Sequence, residues 1–477
     1  MPLDRQPGVQ TETVLHPDRL FPLDSSARSV ARDLYDSVKS LPIVSMHGHI
    51  DAALFAANTA FDDPVSLFLS PDHYLTRLLH SQGVPLEALG VGRSPKVADP
   101  RSAWRLLCER YAVLAGTASH MWLKQELGDL FDIEEEPSAE NADEMYDRIS
   151  ERLGDPDLRP RALYDRFGIE VLATTDSPLS DLRAHRALKD DPEFSGNVIP
   201  TFRPDDVIDP SKPGWSSRVA ELGELTNTDT NTLDGFRNAL WTSRERFIEM
   251  GAVATDHGHP SADTTPMVMV EAAQLYEDLL SGREHEGGEE LLRAHMLFEM
   301  AGMSSRDGLV MQLHPGVCRD HDLAVSARLG PDIGADFPVA CHLTEPLRPL
   351  LAAYGSDPRF RCVAYTIDET AYVRELAPMA SYYPALRIGA PWWFLDAPDA
   401  MRRCWRGAVE SAGFFNFAGF VDDSRSLASI RARHDMARRI VCGELALLVC
   451  EHRVGFEGAA AAAYNHTYEA PKQIFAR

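Results

Sequence analysis

His47 and His49 flank a single glycine directly after the short apolar run Pro42–Met46. In an extended chain, side chains two positions apart point to the same side, so both imidazoles could reach one metal ion. Taken alone, a His-x-His pair is more often a pair of satisfied or exposed histidines. An open catalytic metal site also needs a third protein ligand and a free position for water or substrate. Asp423 and His314 each follow another apolar run and could supply that ligand. Asp423 is the favoured candidate, although Asp422-Asp423-Ser424 is also good turn chemistry and His314, before Pro315-Gly316, could be a turn histidine.

Arg203 and Arg425 stand in similar places, after apolar runs. A guanidinium grips a carboxylate through two parallel hydrogen bonds, so these arginines could fix the acid group of a small substrate. The chain has 47 Lys and Arg against 72 Asp and Glu, a formal charge of −25. That acidity argues against nucleic-acid partners, which need clustered cations, and means that any anionic ligand depends on arginines placed locally. The group Arg433-His434-Asp435 with Arg438-Arg439 has helical spacing and reads as a salt-bridged face behind the site. Trp392-Trp393-Phe394 reads as core or rim packing with no chemistry assigned.

These residues need a scaffold that brings distant segments together. Short apolar or β-branched runs recur between longer helical stretches, the sign of a parallel sheet with crossover helices. Strands are expected at Pro42–Met46, Ile169–Thr174, Asn197–Thr201, Ala252–Thr255, Leu309–Leu313, Phe360–Tyr365, Ala385–Ile388 and Phe417–Val421. Eight such strands predict an α/β fold, a distorted (β/α)8 TIM-type barrel, whose active site gathers at the C-terminal strand ends. Those ends carry His47, Asp176, Arg203, Asp256, His314, Tyr365, Trp392 and Asp423. The first gap far exceeds a simple crossover helix. It holds expected helices at Leu67–Leu79, Ala103–Ala115 and Met145–Leu153, with exposed connections over Asp129–Asp143. The expectation is one elaborated barrel over 1–477, with a helical insertion over 60–165 capping its mouth.

Seven cysteines, odd in number and without a C-x-x-C pair, fit buried thiols better than a disulfide framework or zinc ribbon. Met1–Leu20 has no apolar core, and no apolar stretch is long enough to span a bilayer. No signal peptide, no membrane association and a cytoplasmic location are expected.

Over roughly Ile43 to Arg439 the chain resembles the uronate isomerase (glucuronate isomerase) family of the amidohydrolase superfamily. The resemblance rests on His47-Gly48-His49, Asp72-His73-Tyr74 with Arg77, Thr174-Thr175-Asp176, Pro200-Thr201-Phe202-Arg203-Pro204-Asp205, Asp256-His257, Gln312-Leu313-His314, Trp392-Trp393-Phe394, Asp423-Ser424-Arg425-Ser426 and Arg433-His434. It implies isomerisation of D-glucuronate to D-fructuronate and of D-galacturonate to D-tagaturonate, with one divalent metal, usually zinc. It implies metal ligands at His47, His49 and Asp423, with His73, Tyr74, Arg203, His314 and Arg425 around a small sugar-acid substrate and Asp256 near the site. Such barrels commonly self-associate, which implies a homo-oligomer. The chain departs from the family pattern at Ser177, at Ala390-Pro391, in the loop Pro315–Arg319 and in the run Ser429–Arg439.

Aldose–ketose exchange through a cis-enediol needs a base for the C2 proton and a second shuttle between the oxygens, expected at Asp423 and Tyr74. The competing expectation is a metal-dependent hydrolase or decarboxylase of the same superfamily acting on an anionic substrate. Arg425, directly after Asp423-Ser424, favours the sugar acid.

Overall fold

The computed structural model describes residues 15–92 and 97–477. Among them are nine strands: β1 (Ile43–Ser45), β2 (Ile169–Ala173), β3 (Val198–Ile199), β4 (Ala254–His257), β5 (Val310–Leu313), β6 (Val317–Cys318), β7 (Phe337–Pro338), β8 (Cys362–Ala364) and β9 (Leu386–Ile388). Strands β1, β2 and β3 pair in parallel, and β4, β5, β8 and β9 form a second parallel set. Phe202 joins the two sets. Its amide donates to Ala254 O at 3.2 Å and its carbonyl accepts from Asp256 N at 2.9 Å. The result is a distorted (β/α)8 barrel.

Seven of the eight expected strands are present as ladders. The eighth, Phe417–Val421, contributes one parallel bridge, Ile388 with Phe417, and a hydrogen bond from Ala418 N to Ile388 O at 2.8 Å. The cause is Gly419, at φ 89°, where a Cβ would lie 2.8 Å from the Pro471 ring and 2.9 Å from His466 O. A left-handed residue there ends the pleat, so strand geometry cannot continue. The seam back to the start of the barrel is made by His49 N donating to Ser424 O at 2.9 Å and Ser45 Oγ donating to Asp422 at 2.5 Å. The ring therefore closes at the candidate metal ligands themselves.

Between β1 and β2 the chain is mainly helical. The expected helix Leu67–Leu79 is two pieces, a π-turn Val65–Leu69 and an α-helix His73–Ser81. Ala103–Ala115 is an α-helix Pro100–Glu109 followed by a 3-10 turn Tyr111–Leu114, and Met145–Leu153 is a helix Ala142–Arg152. Ala118–Phe131 is a further helix that no expectation covered. Its Trp122, Leu123, Gln125, Glu126, Leu127 and Leu130 are all buried, so it shows no single apolar stripe for a 3.6-residue pattern to reveal. Strand β4 runs further than expected, so Asp256 and His257 end the strand instead of following it. The antiparallel pair β6–β7 was not expected either; Val317 and Cys318 of β6 line the barrel cavity. The helix Ile430–Cys450 packs along the helix Ser25–Val38 behind the first strand.

Candidate active site

The alternation of β1 carries past its last residue as expected. The His47 and His49 rings lie 5.2 Å apart at 85°, and the Nε2 atoms of both approach Asp423 Oδ1 at 3.1 Å. Asp423 Oδ1 is buried with no hydrogen-bond partner, so three lone-pair atoms converge on one point without satisfying one another. Two imidazoles and a carboxylate suit a divalent transition metal, and the arrangement fits one. Burial would raise the Asp423 carboxyl, but His47 and His49 hold it well below the usual carboxylate range. Asp423 occupies the left-handed region at φ 47°, which a short polar side chain tolerates. Asp422 braces this turn: one oxygen accepts from Ser424 N at 3.1 Å, the other meets Ser45 Oγ and His434 Nε2, the latter at 3.2 Å. Trp392 Nε1 donates to Asp423 Oδ2.

His314, at the end of β5, stacks between His47 at 4.4 Å and Tyr365 at 4.0 Å. Its Nδ1 donates to Asp256 Oδ1 at 2.6 Å, which leaves Nε2 buried and unpartnered. Asp256 is fully buried and also pairs with Arg203 at 3.1 Å. Burial opposes its charge, yet His314 and Arg203 hold it well below the usual range. Arg203 is doubly committed, because its Nε donates to Asp205 at 2.9 Å as well.

The helix His73–Ser81 starts on Asp72, whose side chain accepts from Tyr74 N at 2.8 Å and Leu75 N at 3.3 Å. Such a cap stabilises a helix by about 1 kcal/mol and here fixes His73 and Tyr74 in the first turn. Tyr74 Oη donates to Asp396 Oδ2 at 2.7 Å, and Arg433 reaches the same oxygen at 3.1 Å. The Arg433 guanidinium also lies 3.8 Å from the Trp122 ring centre and 5.0 Å from that of Tyr74. Burial pushes Asp396 up to about 7 against the opposing pull of Arg433 and Tyr74. Burial, then Asp396, push the Tyr74 phenol well above its usual value, so it stays protonated and able to donate a hydrogen bond. Arg425 pairs with Asp332 at 2.8 Å and is more exposed than Arg203. Burial, followed by Arg425, pushes neighbouring His73 down to about 4. All the expected site residues except Asp256 line one cavity of about 1590 Å³, and Asp256 sits behind it, bonded to His314.

The glucuronate isomerase family model matches residues 21–473. The chain belongs to the glucuronate isomerase family. It is 48% identical to the uronate isomerase of Phenylobacterium zucineum (strain HLK1) over 463 residues, which cover 97% of this chain and 96% of that one. A glucuronate isomerase structure from Caulobacter crescentus superposes with a TM-score of 0.94 at 44% identity, covering 97% of this chain and 96% of that one. A uronate isomerase structure from Thermotoga maritima gives a TM-score of 0.91 at 30% identity, covering 97% and 100% respectively.

Within this member of the glucuronate isomerase family, three site contacts depart from the sequence reading. Trp392, assigned only packing, touches Asp423. Arg433, assigned to a face behind the site, is buried at the cavity wall, while its neighbours Asp435 and Arg439 do pair behind it at 2.9 Å. Asp396 was not considered at all. An aspartate two residues beyond Trp392-Trp393-Phe394 carries no spacing signal, since its partners Tyr74 and Arg433 are hundreds of positions away or on another element.

Proposed function

We propose that this chain interconverts aldose and ketose hexuronates, D-glucuronate with D-fructuronate and D-galacturonate with D-tagaturonate, through a cis-enediol. The observation that carries this reading is 48% identity to a uronate isomerase across 97% of the chain. That relationship also weighs against the hydrolase or decarboxylase alternative. His47, His49 and Asp423 would hold one divalent ion, assigned as zinc, and when bound it would polarise the oxygens at C1 and C2 as a Lewis acid.

In the aldose-to-ketose direction the C2 proton moves to C1 and the O2 hydroxyl proton moves to O1. Asp423, ionised at neutral pH, is the proposed base that takes the first proton and returns it. Tyr74, already donating to Asp396, is the proposed shuttle that gives its proton to O1 and takes the one leaving O2, with Asp396 orienting the phenol. Arg425 and His73 are proposed to receive the substrate carboxylate, because Arg425 is committed to a single half-exposed aspartate whereas Arg203 is held by two buried ones. Arg203 and Asp256 then act together through His314, whose free Nε2 is available to a substrate hydroxyl.

We read residues 1–477 as one elaborated barrel and 60–165 as its cap, a reading supported by His73 and Tyr74 entering the cavity from that segment. All seven cysteines are free and no helix among the described residues is long and apolar enough to cross a membrane, which supports a cytoplasmic assignment. A homo-oligomer completes the proposal and is checked by light scattering after gel filtration. The deciding experiment is proton NMR with D-glucuronate and D-galacturonate in D2O, before and after chelator treatment. Ketose formation with deuterium entry, lost on chelation and restored by Zn2+, is expected. No turnover and no exchange in a folded, Zn2+-loaded sample would sink the isomerase reading.

A further inference from the structure

Arg203 links Asp256 to Asp205, and Asp205 belongs to a second convergence of donor atoms that the reaction as described does not use. Asp205 Oδ2 is fully occupied, accepting from Arg203 Nε and from Gly258 N, each at 2.9 Å. Its other oxygen, Oδ1, is buried without a hydrogen-bond partner and lies 3.3 Å from His259 Nε2. His257 Nε2 meets Thr255 Oγ1 at 3.1 Å, and its Nδ1 is buried and unpartnered. One donor atom from each of Asp205, His257 and His259 falls within 4.8 Å of the others, and the three residues are 7%, 1% and 2% exposed.

We propose that Asp205, His257 and His259 form a second cation site, separate from His47, His49 and Asp423, that takes a borderline divalent transition metal such as Zn2+. Two imidazole nitrogens and one carboxylate oxygen are the donor set such ions prefer. The outer contacts have the form that orients metal ligands: a hydroxyl on the far nitrogen of His257, and a guanidinium and an amide on the far oxygen of Asp205. Charge also favours a cation, since Asp205, Asp209 and Asp256 outnumber the guanidiniums of Arg203 and Arg293 that pair with them. Entry is open, because Asp205, Asp209, Gly258 and Pro260 line the same large cavity as the first group.

The simpler account is His259 packed as an ordinary buried side chain between Asp205 and Asp209, the latter at 3.7 Å. It leaves His257 Nδ1 unexplained, and neither His259 nitrogen makes a hydrogen bond in that position.

The test is Zn2+ stoichiometry of the full chain, stripped by chelator, reloaded with Zn2+, desalted and measured by plasma mass spectrometry. The unmodified chain should retain two Zn2+, His257→Ala and His259→Gln one each, and Asp423→Asn one. The double variant His257→Ala/Asp423→Asn should retain none. Circular dichroism confirms folding, and His259→Gln keeps the side-chain bulk should His257→Ala not fold. A single Zn2+ in the unmodified chain, or two that persist in both histidine variants, would overturn the proposal.

Discussion

Tyr74→Phe isolates one hydrogen bond at the site. The phenol donates to Asp396 at 2.7 Å, while the ring is held edge-on to Trp122 at 5.6 Å and under Arg433, contacts that phenylalanine keeps. A hydrogen bond to a charged acceptor is worth about 1.5–3 kcal/mol. Here the loss is softened in two ways. Arg433 still reaches the same oxygen, and Asp396, pushed up to about 7, can take a proton instead of standing as a bare buried charge. The stability cost is therefore about 1–2 kcal/mol. If Tyr74 supplies the proton at the sugar oxygens, kcat should fall by about 10²- to 10⁴-fold, or about 3–5 kcal/mol in the barrier. KM should change little, because ring packing at the cavity wall is preserved. Initial ketose formation from D-glucuronate, followed by NMR across pH, measures kcat and KM, and thermal melting measures the stability cost. The hydrogen bond from Tyr74 lowers the Asp396 carboxyl, so its removal should move the activity limb near pH 7 to higher pH. A kcat within threefold of the unmodified chain, with an unmoved pH limb, would refute a proton-transfer role for Tyr74.

Two further substitutions test the remaining charges. Arg425→Met removes a cation paired with one half-exposed aspartate, so the melting temperature should hardly move while KM for uronates rises about 10- to 100-fold. Arg203→Met should instead destabilise the fold by about 3–5 kcal/mol, since it strands Asp205 and Asp256; the reverse pattern of KM and melting would reassign the anion site. Glu126 is buried in the helix Ala118–Phe131, and burial, then Asp72, push it up to about 8 against Arg433. The folded chain thus keeps a proton that the unfolded chain releases near pH 4 to 5, and stability drains away between there and pH 8, by up to about 5 kcal/mol. Glu126→Gln should melt with a much weaker dependence between pH 5 and pH 9, and equal slopes for the two proteins would show that Glu126 is already ionised at neutral pH.

Local order was legible because it is written in short-range pattern. The period of two in β1 placed His47 and His49 on one side, and apolar runs marked seven of the eight barrel strands to within a few residues. Where pattern gives way to contact, the reading loosened. Gly419 ended the eighth strand because Pro471 and His466 crowd it, a fact held by residues far along the chain. The buried helix Ala118–Phe131 hid because a helix apolar on many sides has no stripe.

The sequence by itself determined the parallel α/β architecture, through periodic spacing, and its motifs carried the resemblance to the family and most of the side chains at the barrel mouth, though not Arg433 or Asp396. Only the tertiary structure decided what each of those groups is free to do. Arg203 and Arg425 look alike in sequence, yet one is locked between two buried carboxylates and the other shares a single aspartate near the surface. Tyr74 keeps its proton well beyond the usual phenol range through burial beside Asp396. Charge state and availability depend on desolvation and on partners brought together across the fold, and neither is encoded in spacing along the chain.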